Sequence, residues 1–244
     1  MMAASTKENM HMSDIPVSDV IGLLWFVALW VGYTWYTDRG KPREHSLRAA
    51  MHKNRYRWMQ QVLRRDNRMT DAHILGQLGQ GASFFASTTL LILVGLFTLL
   101  GATDEAIVAL RQIPLAGKGT LLQWELKLLV LIVIFVHAFF KFTWGLRQFN
   151  YCAVLVGAAP VEKNAKDDEW VRRTAWISTS ASKDFNQGLR AYYFGLGVLA
   201  WFVNGWAFMA ATTLVVGVLY WREYHSEALR TLELPGPEMP GQRK

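Results

Sequence analysis

The longest stretches without charge constrain this chain more than any motif. Thirty-one residues, Ala191 to Trp221, carry no charged side chain, and neither do the eighteen between Asp19 and Asp38. Between Asp71 and Asp104 only His73 can take a charge. At a rise of about 1.5 Å per residue, each run spans or nearly spans a hydrocarbon layer of about 30 Å. The predicted fold is therefore all-α. It is a polytopic membrane bundle with four transmembrane helices and long amphipathic cytoplasmic helices, forming one membrane domain over 1–244. Spans are expected at about 19–37, 82–101, 121–142 and 190–221. The last run exceeds one perpendicular crossing, so it must tilt, project beyond the bilayer or break near Asn204-Gly205.

The flanks give orientation. Trp25, Trp30, Trp35, Tyr33 and Tyr36 in the first span, and Tyr220 and Trp221 in the last, suit interfacial anchoring. The first span has only Lys7 as a basic lead, no small-x-small site after it, and arginines behind it, so it reads as a retained anchor. Segment 38–81 holds ten Lys and Arg, whereas 102–120 holds only Arg111 and Lys118. The third loop, 143–188, is basic again. The positive-inside bias then puts 38–81 and 143–188 in the cytoplasm as helical loops. The polar termini, 1–14 and 234–244, fall outside, in an inner (plasma) membrane. The net charge of +7 reflects this topology, and no nucleic-acid partner is expected. The single Cys152 can form no intrachain disulfide.

Residues 44–81 lack proline and predict one long helix, with no stop signal before the second span. Lys53, Arg57, Arg64 and Arg68 fall on one stripe of it, within about 60° by the helical period. Such a stripe beneath a bilayer contacts anionic lipid headgroups, or attracts anions if copies of the helix surround an opening. Arg147, just beyond the third span, joins this anionic lipid or anion contact set. Gly79, Ala82, Ser83, Ala86 and Ser87 leave a slim stretch whose small-xxx-small spacing predicts close helix packing.

The segments "RWMQQVLRRDNRMTDAHILGQLGQGASFFASTTLLILVGL", "GLRQFNYCAVLVGAAP" and "DFNQGLRAYYFGLG" are similar to signature segments of domain-of-unknown-function family 599. These are four-span membrane proteins of bacteria with relatives in plants. The resemblance covers about Trp35 to Glu223 and implies the same four-span architecture. It implies no activity and no site residues.

Chemistry has few candidates. The six histidines show no metal-ligand spacing, and no HExxH or CxxC occurs. A membrane haem would take two axial ligands, and only His137 is placed for one, so no cofactor or metal is expected. No catalytic constellation is present, and Asp66 and Asp71 are expected to pair with Arg65 or Arg68. The third span is the polar exception. With His137 at zero on the wheel, Lys141 and Gln148 follow it along one stripe. Glu125 lies on the opposite side. Lys127 and Lys141 suit snorkelling interfacial anchors, whereas His137 lies too deep to snorkel. Asn204, midway along the last run, is the other buried polar group.

Glu125, His137, Lys141, Gln148 and Asn204 thus form a candidate polar pathway. The expected function is an oligomeric channel- or transport-like protein with a basic cytoplasmic entrance. The alternative is a non-catalytic accessory or assembly subunit of a larger membrane complex. Either way the partners are the bilayer with its anionic lipids, and identical subunits or another membrane protein.

Overall fold

The computed structural model describes residues 16–39, 46–102, 120–160 and 167–233, and all its regular elements there are helical. The polar termini and most of the 102–120 loop lie outside the described residues. In chain order the helices are α1 (Val17–Arg39), α2 (Leu47–Arg64), α3 (Met69–Gly101), α4 (Leu121–Gly157), α5 (Asp168–Leu199), α6 (Gly205–Tyr224) and the short α7 (Glu227–Glu233). Three segments are long and apolar enough to cross a membrane: Val17–Asp38, Met69–Gly101 and Leu121–Gly157. That is compatible with a membrane protein, as are the bulky apolar side chains left bare on the outside, such as Leu91, Phe140, Trp206 and Leu214.

Helix ends follow local chemistry. Thr120 and Gln123 form a reciprocal capping box at the start of α4. Asp167 caps α5, accepting from the Trp170 amide at 2.8 Å, with Asp168 and Glu169 in the first turn against the positive helix end. Ser46 caps α2 through the Ala49 amide. The single long helix expected over 44–81 is instead broken at 65–68. Arg65 is extended, and Asn67 Oδ1 accepts from the Met69 amide at 2.9 Å, an Asx turn that competes with helix continuation. Beyond the break, α3 runs unbroken from the 69–81 region through the predicted second span.

The long helices α3, α4 and α5 lie antiparallel in sequence. Cys152 is level with Thr174, Gln148 with Asp184, Phe142 with Gly188, Phe135 with Gly195 and Lys127 with Trp201. At 37 residues, α4 is about 55 Å long, well beyond a hydrocarbon layer. The small residues of α3 face α4: Gly79 packs on Leu146, and Ala82 and Ala86 are buried. Two apolar cores result. One joins Phe26, Ala138, Phe142, Phe194, Trp201 and Phe208, and the other places Met59, Val62, Leu75, Phe149, Cys152 and Val171 beneath α2.

The predicted fourth span, 190–221, is not one helix. After α5 comes a 3-10 turn, Ala200–Phe202, then extended Asn204, whose Oδ1 accepts from the Ala207 amide at 2.7 Å and starts α6. The chain turns back there, so α6 runs parallel to α1. Gly205 meets Ser18, Trp25 Nε1 donates to Thr213 at 3.1 Å, and Tyr36 lies against Tyr224. The described chain therefore begins and ends at opposite ends of the bundle, while the polar termini expected on one side, 1–14 and 234–244, lie outside the described residues. The extra reversal at Asn204 is the cause of the opposite ends.

Candidate functional site

Polar side chains collect at two levels of the bundle, marked by Asp19 and Asp38. They lie nineteen positions apart, about 28 Å of helix, close to the thickness of a hydrocarbon layer.

At the Asp19 level the charged groups seal one another. Lys127, predicted as a snorkelling anchor, is buried instead. Its Nζ donates to the Trp201 carbonyl at 3.0 Å and lies 3.9 Å from Asp19 Oδ2. The ammonium thus satisfies a carbonyl that the 3-10 turn leaves exposed. Asp19 sits against Gly205 at the start of α6, where the positive helix end favours a carboxylate. A Cβ on Gly205 would lie 2.8 Å from the Ser18 carbonyl oxygen, so only glycine allows this approach.

The Asp38 level is built differently. Arg48 from α2 donates to Asp38 Oδ1 at 3.0 Å and to the Thr37 carbonyl at 2.5 Å. Arg190 from α5, only 7% exposed, donates to Thr37 Oγ1 at 2.6 Å and approaches Asp38 at 3.6 Å. Gln187 also bonds to Asp38. The Arg48 amide donates to Glu223 at 3.2 Å, and Arg222 donates to the Tyr193 hydroxyl at 2.7 Å while facing its ring. Thr37, Arg48, Arg190, Tyr193, Arg222 and Glu223 line a cleft of about 190 Å³ between α1, α2, α5 and α6, with Asp38 and Gln187 just behind its wall. Five cations reach it: Arg48, Arg55, Lys183, Arg190 and Arg222. Only Asp38 and Glu223 oppose them among the described residues. Arg55 and Lys183 make no hydrogen bond or ion pair with any described residue. Burial pushes the Arg55 guanidinium below its ordinary pKa, a cost of holding a cation where water is scarce.

Of the predicted pathway residues, the structure brings together Lys141 and Gln148. Lys141 and Gln148 converge on Asp184, at 3.0 and 2.6 Å, on the α4–α5 seam. Lys141 is thereby an ion-pair partner, not a free anchor. His137 is exposed on the outer face of α4, its ring 5.8 Å from Trp30. Glu125 is half-buried, and Asn204 is a helix cap. Between the two levels lie Phe135, Ala138, Phe142 and Phe194, which separate the Lys141–Asp184–Gln148 cluster from the Asp19 level. Of the predicted basic contacts, Lys53, Arg57, Arg64 and Arg147 are exposed. Arg68 instead clamps two helix ends, donating to the Ala159 and Pro160 carbonyls at 2.8 and 2.6 Å and to that of Val62 at 3.3 Å. The expected carboxylate pairing at Asp71 is present, with Arg65 at 2.7 Å and Trp58 donating as well.

Sequence reasoning missed the cleft because its parts come from four separate helices. The one available signal was Arg190, directly before the longest uncharged run and followed by Tyr192 and Tyr193. Among the described residues, no group of three or more His, Cys, Asp or Glu could hold a metal ion.

No curated protein and no solved structure matches this chain. A family model does, that of proteins of unknown function DUF599, over residues 21–228. With matching segments reaching from within α1 into α7, the chain belongs to the DUF599 family.

Proposed function

We propose that this chain is a multi-pass protein of an inner (plasma) membrane that acts as a non-catalytic accessory or assembly subunit, not as a conduit through its own bundle. In this reading α1, α3 and α4 cross the bilayer, the α5–α6 hairpin adds the remaining apolar run, and the Asp38 level with α2 faces the cytoplasm. The basic residues of α2 and of 143–188 support that orientation.

The observation that carries the reading is closure of the polar groups. Lys127, Lys141 and Gln148 are each bonded within the protomer, and aromatic side chains fill the space between the two levels. Intramembrane polar groups that line a route would face water or one another, and these face fixed partners. What the bundle leaves bare is apolar, a surface suited to lipid, identical subunits or another membrane protein. A second reading, a channel between copies, is favoured by one observation: exposed His137 lies in line with Phe140 and Trp144 on the outside of α4.

Liposome flux separates the two. Reconstituted alone, the purified chain is expected to pass no more ions than empty vesicles and to co-purify with a stoichiometric membrane partner under mild extraction. Sustained flux that changes on His137→Ala would instead establish the channel between copies.

A further inference from the structure

We propose that the cleft at the Asp38 level is a binding site for a phosphate-bearing anion, with the headgroup of an anionic phospholipid and a soluble phosphate as its two possible sources. The inference does not depend on whether the chain conducts.

Three features carry it. The first is charge: among the described residues five cations meet two carboxylates, and Asp38 already serves Arg48, Arg190 and Gln187 and feels Lys183 as well. Like charges gathered at low dielectric repel, and an anion relieves that repulsion. The second is donor chemistry. Arg55 and Lys183 reach the cleft with no hydrogen bond to any described residue, which leaves a guanidinium fork and an ammonium for phosphate oxygens. Their neighbours Arg190 and Arg48 are held by Asp38 and Thr37, so the charged wall is preorganised. The third is placement and size. A volume of about 190 Å³ lies below the roughly 300 Å³ at which drug-sized pockets begin, and suits a small polyatomic group. Its walls also include Leu189 and Leu219, from the amphipathic α5 and the apolar α6. A headgroup could therefore enter with its acyl chains still beside the bundle.

The competing class is a carboxylate-bearing metabolite, which the same forks would accept. Phosphate is favoured because the cations approach from three helices, α2, α5 and α6, and not from one plane. A tetrahedral group can offer oxygens to several of them at once, whereas a flat carboxylate satisfies one fork.

The test uses the full chain in a mild zwitterionic detergent. It is titrated with inorganic phosphate, with short-chain phosphatidic acid and with phosphatidylcholine of the same chain length, with binding read by native mass spectrometry and by thermal shift. Saturable binding of phosphatidic acid alone identifies a lipid source. Saturable binding of inorganic phosphate, with or without phosphatidic acid, identifies the phosphate group itself as sufficient. The Arg55→Gln/Lys183→Gln variant should keep the wild-type helicity and elution volume yet bind about tenfold more weakly or worse. Independently of any variant, added sodium chloride should weaken wild-type binding. The proposal is overturned if neither anion saturates, if phosphatidylcholine binds as well as phosphatidic acid, or if wild-type binding is insensitive to salt. Equal binding by the folded double variant would overturn it too.

Discussion

The two polar levels differ in charge balance more than in residue type. At the Asp19 level one ammonium meets one carboxylate and one backbone carbonyl, and all three are buried. At the Asp38 level arginines and a lysine outnumber the carboxylates around an open cleft. A balanced buried pair has nothing left with which to recognise a ligand. A surplus of fixed cations costs stability unless something neutralises it. The comparison teaches that buried charge in this bundle marks a seam at one end and a site at the other.

The largest effect expected on breaking this contrast comes from Asp38→Ala. It removes the carboxylate shared by Arg48 and Arg190 and leaves Arg190 buried without an anion. A loss of about 3–5 kcal/mol is expected in thermal or denaturant unfolding of the detergent-solubilised chain. A loss under about 1 kcal/mol would mean that the cations at this level do not depend on Asp38.

Gly205→Ala probes the other end. The added Cβ meets the Ser18 backbone, which cannot rotate away, so about 2 kcal/mol should be lost as α6 is pushed off α1. Unchanged stability would show that the two helix starts are not in close contact.

A smaller effect is expected from the sealed pair when both members change. Asp19→Asn alone should cost about 2 kcal/mol because Lys127 loses its counter-charge. The Asp19→Asn/Lys127→Met double variant should recover most of that, to within about 1 kcal/mol of wild type, as a coupled pair does in a double-mutant cycle. Purely additive losses would show that the two groups act independently across their 3.9 Å separation. The smallest effect is expected from Arg55→Gln/Lys183→Gln in the absence of anions. Because neither side chain bonds to a described residue while both add to the cation surplus, stability should rise slightly, by about 0.5 kcal/mol.

How far the sequence revealed these ends depended on the range of the contacts. The all-helical chain and its long apolar segments were legible because hydropathy is a property of consecutive residues. The same holds for the small-residue face of α3. The break at Asn204 could be anticipated as one option, since Asn-Gly in an overlong run favours an end. Its consequence, the parallel course of α6 beside α1, depended on Gly205 meeting Ser18, a contact no local pattern encodes. Lys127 and Lys141 read as anchors because snorkelling is a lysine's default near a helix end. Their actual partners lie far away in sequence, at Trp201, Asp19 and Asp184. The cleft was invisible for the same reason. Each of its arginines, taken singly, is an ordinary charge at a membrane boundary, and only the packing of four helices puts them around one volume.

The most direct test of this contrast is the effect of short-chain phosphatidic acid on thermal stability at fixed ionic strength, compared across three proteins. Wild type and the Asp19→Asn/Lys127→Met variant should both gain stability with rising ligand concentration, as ligand-linked folding requires. The Arg55→Gln/Lys183→Gln variant should gain little or none. The account is contradicted if wild type shows no gain, or if changing the Asp19 end abolishes the gain while changing Arg55 and Lys183 leaves it intact.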